Sequence, residues 1–236
     1  MPEDNPIQKD VPLRSLANAS VRESTKRPMN ARGRQTAAHI LACATAIFVA
    51  EGYGGLSMRK VAASAGVALS NLQHYFSGRE ALFAAIMEQT TTEYFDTYES
   101  IRNNTSLTPL QRLEKVIRLL IETDKQPQTQ SLFINMWALA QTHEFARRIM
   151  EEAYVLQRSM LKGFIEAVNS NLSPLELSCR AALVTCQIEG LVVLIPQRNR
   201  FPSDVRGIED EAVRALLNLA LAEGQREAAH RANARE

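Results

Sequence analysis

The chain has few of the residues that interrupt helices, with ten glycines and nine prolines among 236 residues. This scarcity favours long helices over many short strands joined by tight turns. The three cysteines, Cys43, Cys179 and Cys186, include no Cys-x-x-Cys pair. So small a number excludes a disulfide-stapled secreted fold and predicts a reducing, cytoplasmic location.

Long hydrophobic runs and targeting signals are also absent. The most apolar stretch, residues 181–195, is too short to cross a bilayer and contains Gln187 and Glu189. The first residues, Met1 to Pro6, lack the basic and then apolar order of a secretory signal. The sequence therefore predicts a soluble protein without a membrane partner.

Charge is unevenly distributed along the chain. From Arg22 to Arg79 there are eight basic and two acidic residues, whereas residues 80–236 carry 17 basic and 21 acidic ones. A basic segment ahead of an acidic one is typical of a nucleic-acid-binding head on a body with another task. Chance clustering on a solvated surface is the alternative explanation.

Apolar residues recur at helical spacing through most of the chain, and no segment has a convincing strand pattern. The predicted fold is all-α, with a three-helix head and a larger helical body. Predicted boundaries are a disordered, basic-ended tail over residues 1–30, the head over 31–78, the body over 79–225 and a flexible tail over 226–236. Thr108-Pro109 and Ser173-Pro174 each predict a helix start, because a capping hydroxyl precedes proline.

Residues 56–76 predict a helix-turn-helix motif. Ser57 is the expected N-cap of the first helix, Gly66 supplies the turn, and Ser70 is the expected cap of the second helix. The second helix presents polar side chains that are able to read base edges in the major groove of DNA. These side chains are Ser70, Asn71, Gln73 and His74.

Other residues of the head are predicted to contact phosphates, which fix the register of a protein on DNA. Amides at a helix start bind anions, and basic or hydroxyl side chains add to such a site. The candidates are Arg34, Ser57, Arg59, Lys60, Tyr75 and Arg79.

Residues 34–87 resemble the DNA-binding domain of the TetR/AcrR transcriptional regulators. The matching pieces are residues 46–53 (AIFVAEGY), 56–62 (LSMRKVA), 65–67 (AGV) and 72–82 (LQHYFSGREAL). This resemblance implies an all-helical homodimer, usually a repressor, that binds double-stranded DNA and senses a ligand with its body. The chain departs from the family pattern at Ser70, Asn71 and Gln73 and has Arg79 in place of the usual lysine, so the operator sequence is not implied.

The body is predicted to bind a small organic effector. Aromatic side chains with a few polar groups suit such a ligand and could hold a cation, although core packing is the commoner role of an apolar stripe. Residues around Trp137 and Tyr154 resemble the body of betaine-related regulators of the BetI type. The candidate ligand residues are Phe133, Trp137, Gln141, Tyr154, Phe164 and Glu189.

The last two helices carry more apolar surface than one small core needs, which predicts a homodimer. The predicted interface residues are Leu183, Leu191, Val213, Leu216, Leu217 and Ala220. A two-fold dimer would place two reading helices about 34 Å apart, matching a palindromic operator.

The sequence contains no arrangement typical of catalysis, a metal or a cofactor. Hence the hypothesis is a ligand-responsive repressor that is not an enzyme. Two alternatives remain at this point: a helical-bundle enzyme or binding protein without DNA recognition, and a constitutive DNA-binding structural protein.

Overall fold

A computed structural model describes residues 30–194 and 201–224, and within those ranges the chain is helical with no strand. The all-α prediction is confirmed. The helices are α1 (Ala31–Gly55), α2 (Met58–Ser64), α3 (Leu69–Tyr75), α4 (Arg79–Arg102), α5 (Pro109–Asp124), α6 (Pro127–Ala140), α7 (Glu144–Val168), α8 (Pro174–Leu191) and α9 (Ile208–Leu221). Short 3₁₀ turns cover Val192–Leu194 and Ser203–Val205. The predicted tails fall outside the described residues, apart from Asn30.

Local sequence determines the helix-turn-helix. The Ser57 side chain accepts a hydrogen bond from the amide of Lys60 and so caps α2. Gly66 follows with φ of 64°, a conformation that side chains with a Cβ rarely adopt. Leu56, Val61 and Leu72 are completely buried and hold α2 and α3 together.

One feature of the head differs from the predictions. Ala68 and not Ser70 is the N-cap of α3, and no side chain caps this helix. Ser70 instead lies in the first turn of α3, where it is exposed. The first helix starts at Ala31, where the Asn30 side chain caps it by accepting a hydrogen bond from the amide of Gly33.

The body helices begin as the capping residues predict. Thr108 and Ser173 each form a complete capping box, with Gln111 and Glu176 returning the hydrogen bond. Behind these caps, α5, α7, α8 and α9 bury a common apolar core that includes Leu113, Ile117, Leu161, Val184 and Leu216.

The end of α9 is fixed by a buried arginine. Arg180 on α8 donates hydrogen bonds to the carbonyls of Ala220 at 3.1 Å, Ala222 at 2.6 Å and Glu223 at 3.0 Å. The Ala220 carbonyl belongs to the last turn of α9, where carbonyls have no partner within the helix and carry the negative end of its dipole, and Ala222 and Glu223 directly follow the helix. A guanidinium with five donors is suited to bind several of them at once.

The chain forms two compact units that divide between Glu93 and Tyr94, inside α4. The sequence predicted the boundary between head and body at residue 79, where this helix begins, and not inside the helix. Two helical stretches, Ala31–Gly55 and Pro174–Leu194, are long and apolar enough to cross a membrane by length and composition alone. Each buries residues in the core of its own unit, and core helices of water-soluble proteins meet the same criterion.

Candidate functional site

The second helix of the motif presents an exposed polar face. Ser70, Asn71, Gln73 and His74 are exposed, and the His74 ring lies 5.4 Å from that of half-buried Tyr75. On the opposite side Leu72 and Phe76 are buried and anchor the helix. An exposed row of donors and acceptors on a fixed short helix fits the major groove of DNA.

The basic side chains predicted to contact phosphates are exposed in the head, with one difference from a simple phosphate site. Arg59 is exposed in the first turn, as a phosphate contact requires, and Arg34 is exposed on α1. Lys60, however, forms an ion pair with Glu51. Both side chains of this pair are about half exposed, so the ion pair contributes little free energy and Lys60 can leave Glu51 for a phosphate.

Arg79 at the start of α4 is positioned by an aromatic ring that the sequence reasoning missed. Its guanidinium carbon lies 4.0 Å from the centroid of the Tyr53 ring, a cation–π distance. Tyr53 in turn meets Phe83 edge to face at 5.9 Å. The ring limits the conformations of the arginine while its charge stays exposed.

In the body, three of the six predicted ligand residues are joined by hydrogen bonds. The indole N–H of Trp137 donates to the Tyr154 hydroxyl at 2.7 Å. Tyr154 and Gln157 both hydrogen-bond to the carboxyl group of Glu189. These bonds lower the pKa of Glu189, but burial outweighs them and raises it to about 7.

A second carboxyl group lies close to the first. Asp124, at the end of α5, is 8% exposed, and burial followed by the charge of Glu189 raises its pKa to about 8. Both carboxyl groups raise the pKa of Tyr98, after burial as the main cause. We use the name acidic aromatic cluster for Tyr98, Asp124, Trp137, Tyr154 and Glu189 together with buried Gln130, which lies two turns before Trp137 on α6.

The structure does not link the other predicted ligand residues to these hydrogen bonds. Phe133 is half-buried on α6, and Gln141 is exposed at the C-cap of that helix. Phe164 packs in the apolar core of the body. Their role in ligand binding stays a prediction.

Four of the predicted interface residues require correction. Leu191, Val213, Leu216 and Ala220 are buried within the chain itself, so they have almost no surface left for a partner. The helical periodicity identified the apolar side of α9 but could not tell a core face from an interface face. Leu183 is 53% exposed and Leu217 is half-buried.

Sequence reasoning missed Asp124 and Gln130, although Asp124 had a detectable signal. It continues the apolar row Leu113, Ile117, Leu120 at the spacing of one helix face. A carboxyl group on the apolar face of an amphipathic helix is a candidate for a buried functional group.

Comparisons with known proteins identify the head. Residues 40–86 match the family model described as bacterial regulatory proteins, tetR family. The chain is 29% identical over 119 residues to the HTH-type transcriptional regulator RutR of Escherichia coli K12, a match that covers 50% of this chain and 54% of RutR. It thus spans about half the length of the curated relatives it matches. The family and these relatives are transcriptional regulators, which speaks against the enzyme alternative.

Solved structures share the fold of most of the chain. A transcriptional regulator from Pseudomonas aeruginosa PAO1 superposes with a TM-score of 0.66 and 17% identity, covering 79% of this chain and 88% of that protein. A TetR-family regulator from Mesorhizobium loti gives 0.66 and 19%, covering 80% and 98%. Residues 40–86 thus carry the helix-turn-helix of the tetR family of bacterial regulatory proteins, and the chain shares its fold with solved regulators of that family.

Proposed function

We propose that the protein is a homodimeric repressor that binds a palindromic operator and is released from it by a small organic molecule. The observation that carries this proposal is the exposed polar face of α3, held by buried Leu72 and Phe76, within the segment that matches the family. Operator DNA in a bacterium lies in the cytoplasm, where we place the protein.

Binding to DNA would combine two kinds of contact. Asn71 and Gln73 carry the amide groups that pair with base edges, and Ser70 and His74 extend the same exposed face. Arg34, Ser57, Arg59, Tyr75 and Arg79 would contact phosphates, and Lys60 would join them once it leaves Glu51. Neutralised phosphates release counterions, so operator affinity should fall steeply with salt.

Dimerisation is supported by an apolar stripe that remains exposed on α8 and the turn after it. Leu175, Leu183 and Val193 are 74%, 53% and 81% exposed. Cys179 and Cys186 lie between them and are exposed as well. Leu175, Cys179, Leu183 and Cys186 recur every three or four positions along α8 and so share one helix face, and Val193 lies in the turn that follows. Packing this face and exposed Leu221 of α9 against a second copy would bury the stripe in a four-helix seam.

The DNA-binding proposal is tested by a gel shift against the DNA upstream of the protein's own gene. The double variant Asn71→Ala, Gln73→Ala should lose specific binding, since each bidentate base contact contributes about 1–3 kcal/mol of discrimination. Gln89→Ala is the matched control, because Gln89 is an exposed glutamine on α4 outside the polar face of α3. Retained specific binding by the double variant would rule out α3 as the reading helix.

The remaining alternative, a constitutive DNA-binding structural protein, differs in its response to small molecules. A repressor of the proposed kind must bind its effector more tightly in the form that does not fit the operator. Operator affinity should therefore fall when an effector saturates the body, whereas a constitutive protein would show no ligand that changes it.

A further inference from the structure

The acidic aromatic cluster contains polar atoms that the body itself leaves without partners. Among the described residues, the Oδ2 atom of Asp124 and both side-chain polar atoms of Gln130 are buried and make no hydrogen bond. Gln130 is only 2% exposed and Asp124 only 8%. Buried polar groups without partners are costly in free energy, so their persistence points to a partner that comes from outside the chain.

Helix geometry directs these groups to the same place. Gln130 and Trp137 are two turns apart on α6 and therefore share one face of that helix. Trp137 is bonded to Tyr154, which is bonded to Glu189. Asp124 interacts electrostatically with Glu189 from the end of α5. With Tyr98 on α4, five helices thus contribute to the cluster.

The carboxyl groups of the cluster have no cationic partner within the described part of the chain. Burial is the largest influence on both pKa values; besides it, the charge of Glu189 raises the pKa of Asp124, and hydrogen bonds from Tyr154 and Gln157 lower that of Glu189. Lys125, next to Asp124, is bonded instead to Glu122 and Glu209. The buried Arg180 is bonded to the carbonyls at the end of α9.

We propose that the acidic aromatic cluster binds a small organic ammonium ion that carries N–H donors. The inference deepens the proposed function, because such an ion would be the effector. The ammonium N–H groups would donate to the free Oδ2 atom of Asp124 and the Oε1 atom of Gln130. The faces of Tyr98, Trp137 and Tyr154 would hold the charge and the carbon chain through cation–π and apolar contacts.

Two features distinguish this ligand class from a neutral or anionic one. An anion would meet two carboxyl groups with no cation bonded to them among the described residues, which the Coulomb energy disfavours in a low-dielectric interior. A neutral alcohol would satisfy one acceptor but gain nothing from the pair of carboxyl groups. An ammonium ion satisfies the free acceptors and the negative charge together.

Trp137 offers a direct readout, since it is the only tryptophan of the chain and part of the cluster. Its emission is titrated in the full-length protein without DNA, at about pH 8, where Glu189 and half of Asp124 are ionised. The probes are phenethylamine and butylamine, with phenethyl alcohol and butanol as neutral counterparts and phenethyltrimethylammonium as a cation without N–H donors.

At least one amine should change the emission at millimolar concentration, and its alcohol and the quaternary cation should bind about tenfold more weakly or not at all. Asp124→Asn and Glu189→Gln should each weaken amine binding about tenfold, whereas Glu166→Gln, an exposed position on α7, should leave it unchanged. No response to either amine, or an equal response to an amine and its alcohol or to the quaternary ion, would overturn the proposal.

The same amine is then added to the operator gel shift. Loss of operator binding on addition of the amine identifies it as an effector. If the protein binds the amine but no operator, the proposed function fails while the ammonium site stands. If it binds the operator and no amine, the ammonium site fails alone.

Discussion

The pKa of Asp124 is a property that the fold gives to a single residue and that the sequence does not predict. Asp124 lies in the apolar row of α5, and burial there, together with the nearby charge of Glu189, raises the pKa of its carboxyl group from 3.8 to about 8. In the unfolded chain the same group would lose its proton near the ordinary value. The folded state therefore retains a proton that the unfolded state releases, and stability depends on pH.

Replacing Asp124 by asparagine tests this linkage. Between about pH 4 and pH 8 the folded wild-type protein binds more protons than the unfolded one, so its free energy of unfolding falls as pH rises. The Asp124→Asn variant lacks this contribution and should gain on the order of 3–4 kcal/mol relative to wild type between about pH 5 and pH 8. Urea unfolding at the two pH values measures the difference, and Glu166→Gln should show none of it. A constant difference between variant and wild type would show that Asp124 ionises normally in the fold.

At the scale of elements, the sequence determines where helices begin and how they turn. Thr108 and Ser173 start helices through capping boxes that can be found from the residue types alone. Gly66 is required by its φ of 64°, although a methyl group there would meet no neighbouring atom. The constraint at Gly66 thus comes from the backbone and not from packing.

Gly66→Ala should therefore destabilise the head by about 1 kcal/mol through left-handed backbone strain alone. Gly54→Ala is the matched control, because Gly54 also has open space around it but no positive φ. Thermal unfolding of the two variants compares them. Equal melting temperatures would indicate that the turn adjusts without strain.

The end of α9 depends instead on a residue distant in sequence. Arg180→Met should destabilise the body by about 3 kcal/mol, because it removes three hydrogen bonds from a buried guanidinium to main-chain carbonyls. Arg214→Met removes only an exposed ion pair with Glu211 and should change stability by less than about 1 kcal/mol. Chemical unfolding of both variants makes the comparison, and similar stabilities would refute a capping role for Arg180.

At the scale of the whole molecule, the exposed stripe on α8 is the surface that a second copy would cover. Leu183→Arg should give monomers in sedimentation experiments and lower operator affinity, since one head alone contacts half of a palindromic site. Leu110→Arg is the control, because Leu110 is an exposed leucine at the start of α5. A dimer that survives Leu183→Arg would place the interface on another surface.

The sequence alone determined the elements and the head. Helix starts, the turn at Gly66 and the apolar rows are set by neighbouring residues, because capping, left-handed turns and helical periodicity act over a few positions. The exposed face of α3 follows from the same local rules, and so Ser70, Asn71, Gln73 and His74 could be found without coordinates.

Only the tertiary structure decided which apolar rows form the core and which polar residues meet. It placed Val213 and Leu216 inside the core of the body and left Leu175 and Val193 exposed, because burial depends on which helix packs against each face. It also joined Trp137 to Tyr154 and added Asp124 and Gln130 to the cluster. Helix packing brings together residues that are far apart in the sequence, and a local sequence pattern does not predict such contacts.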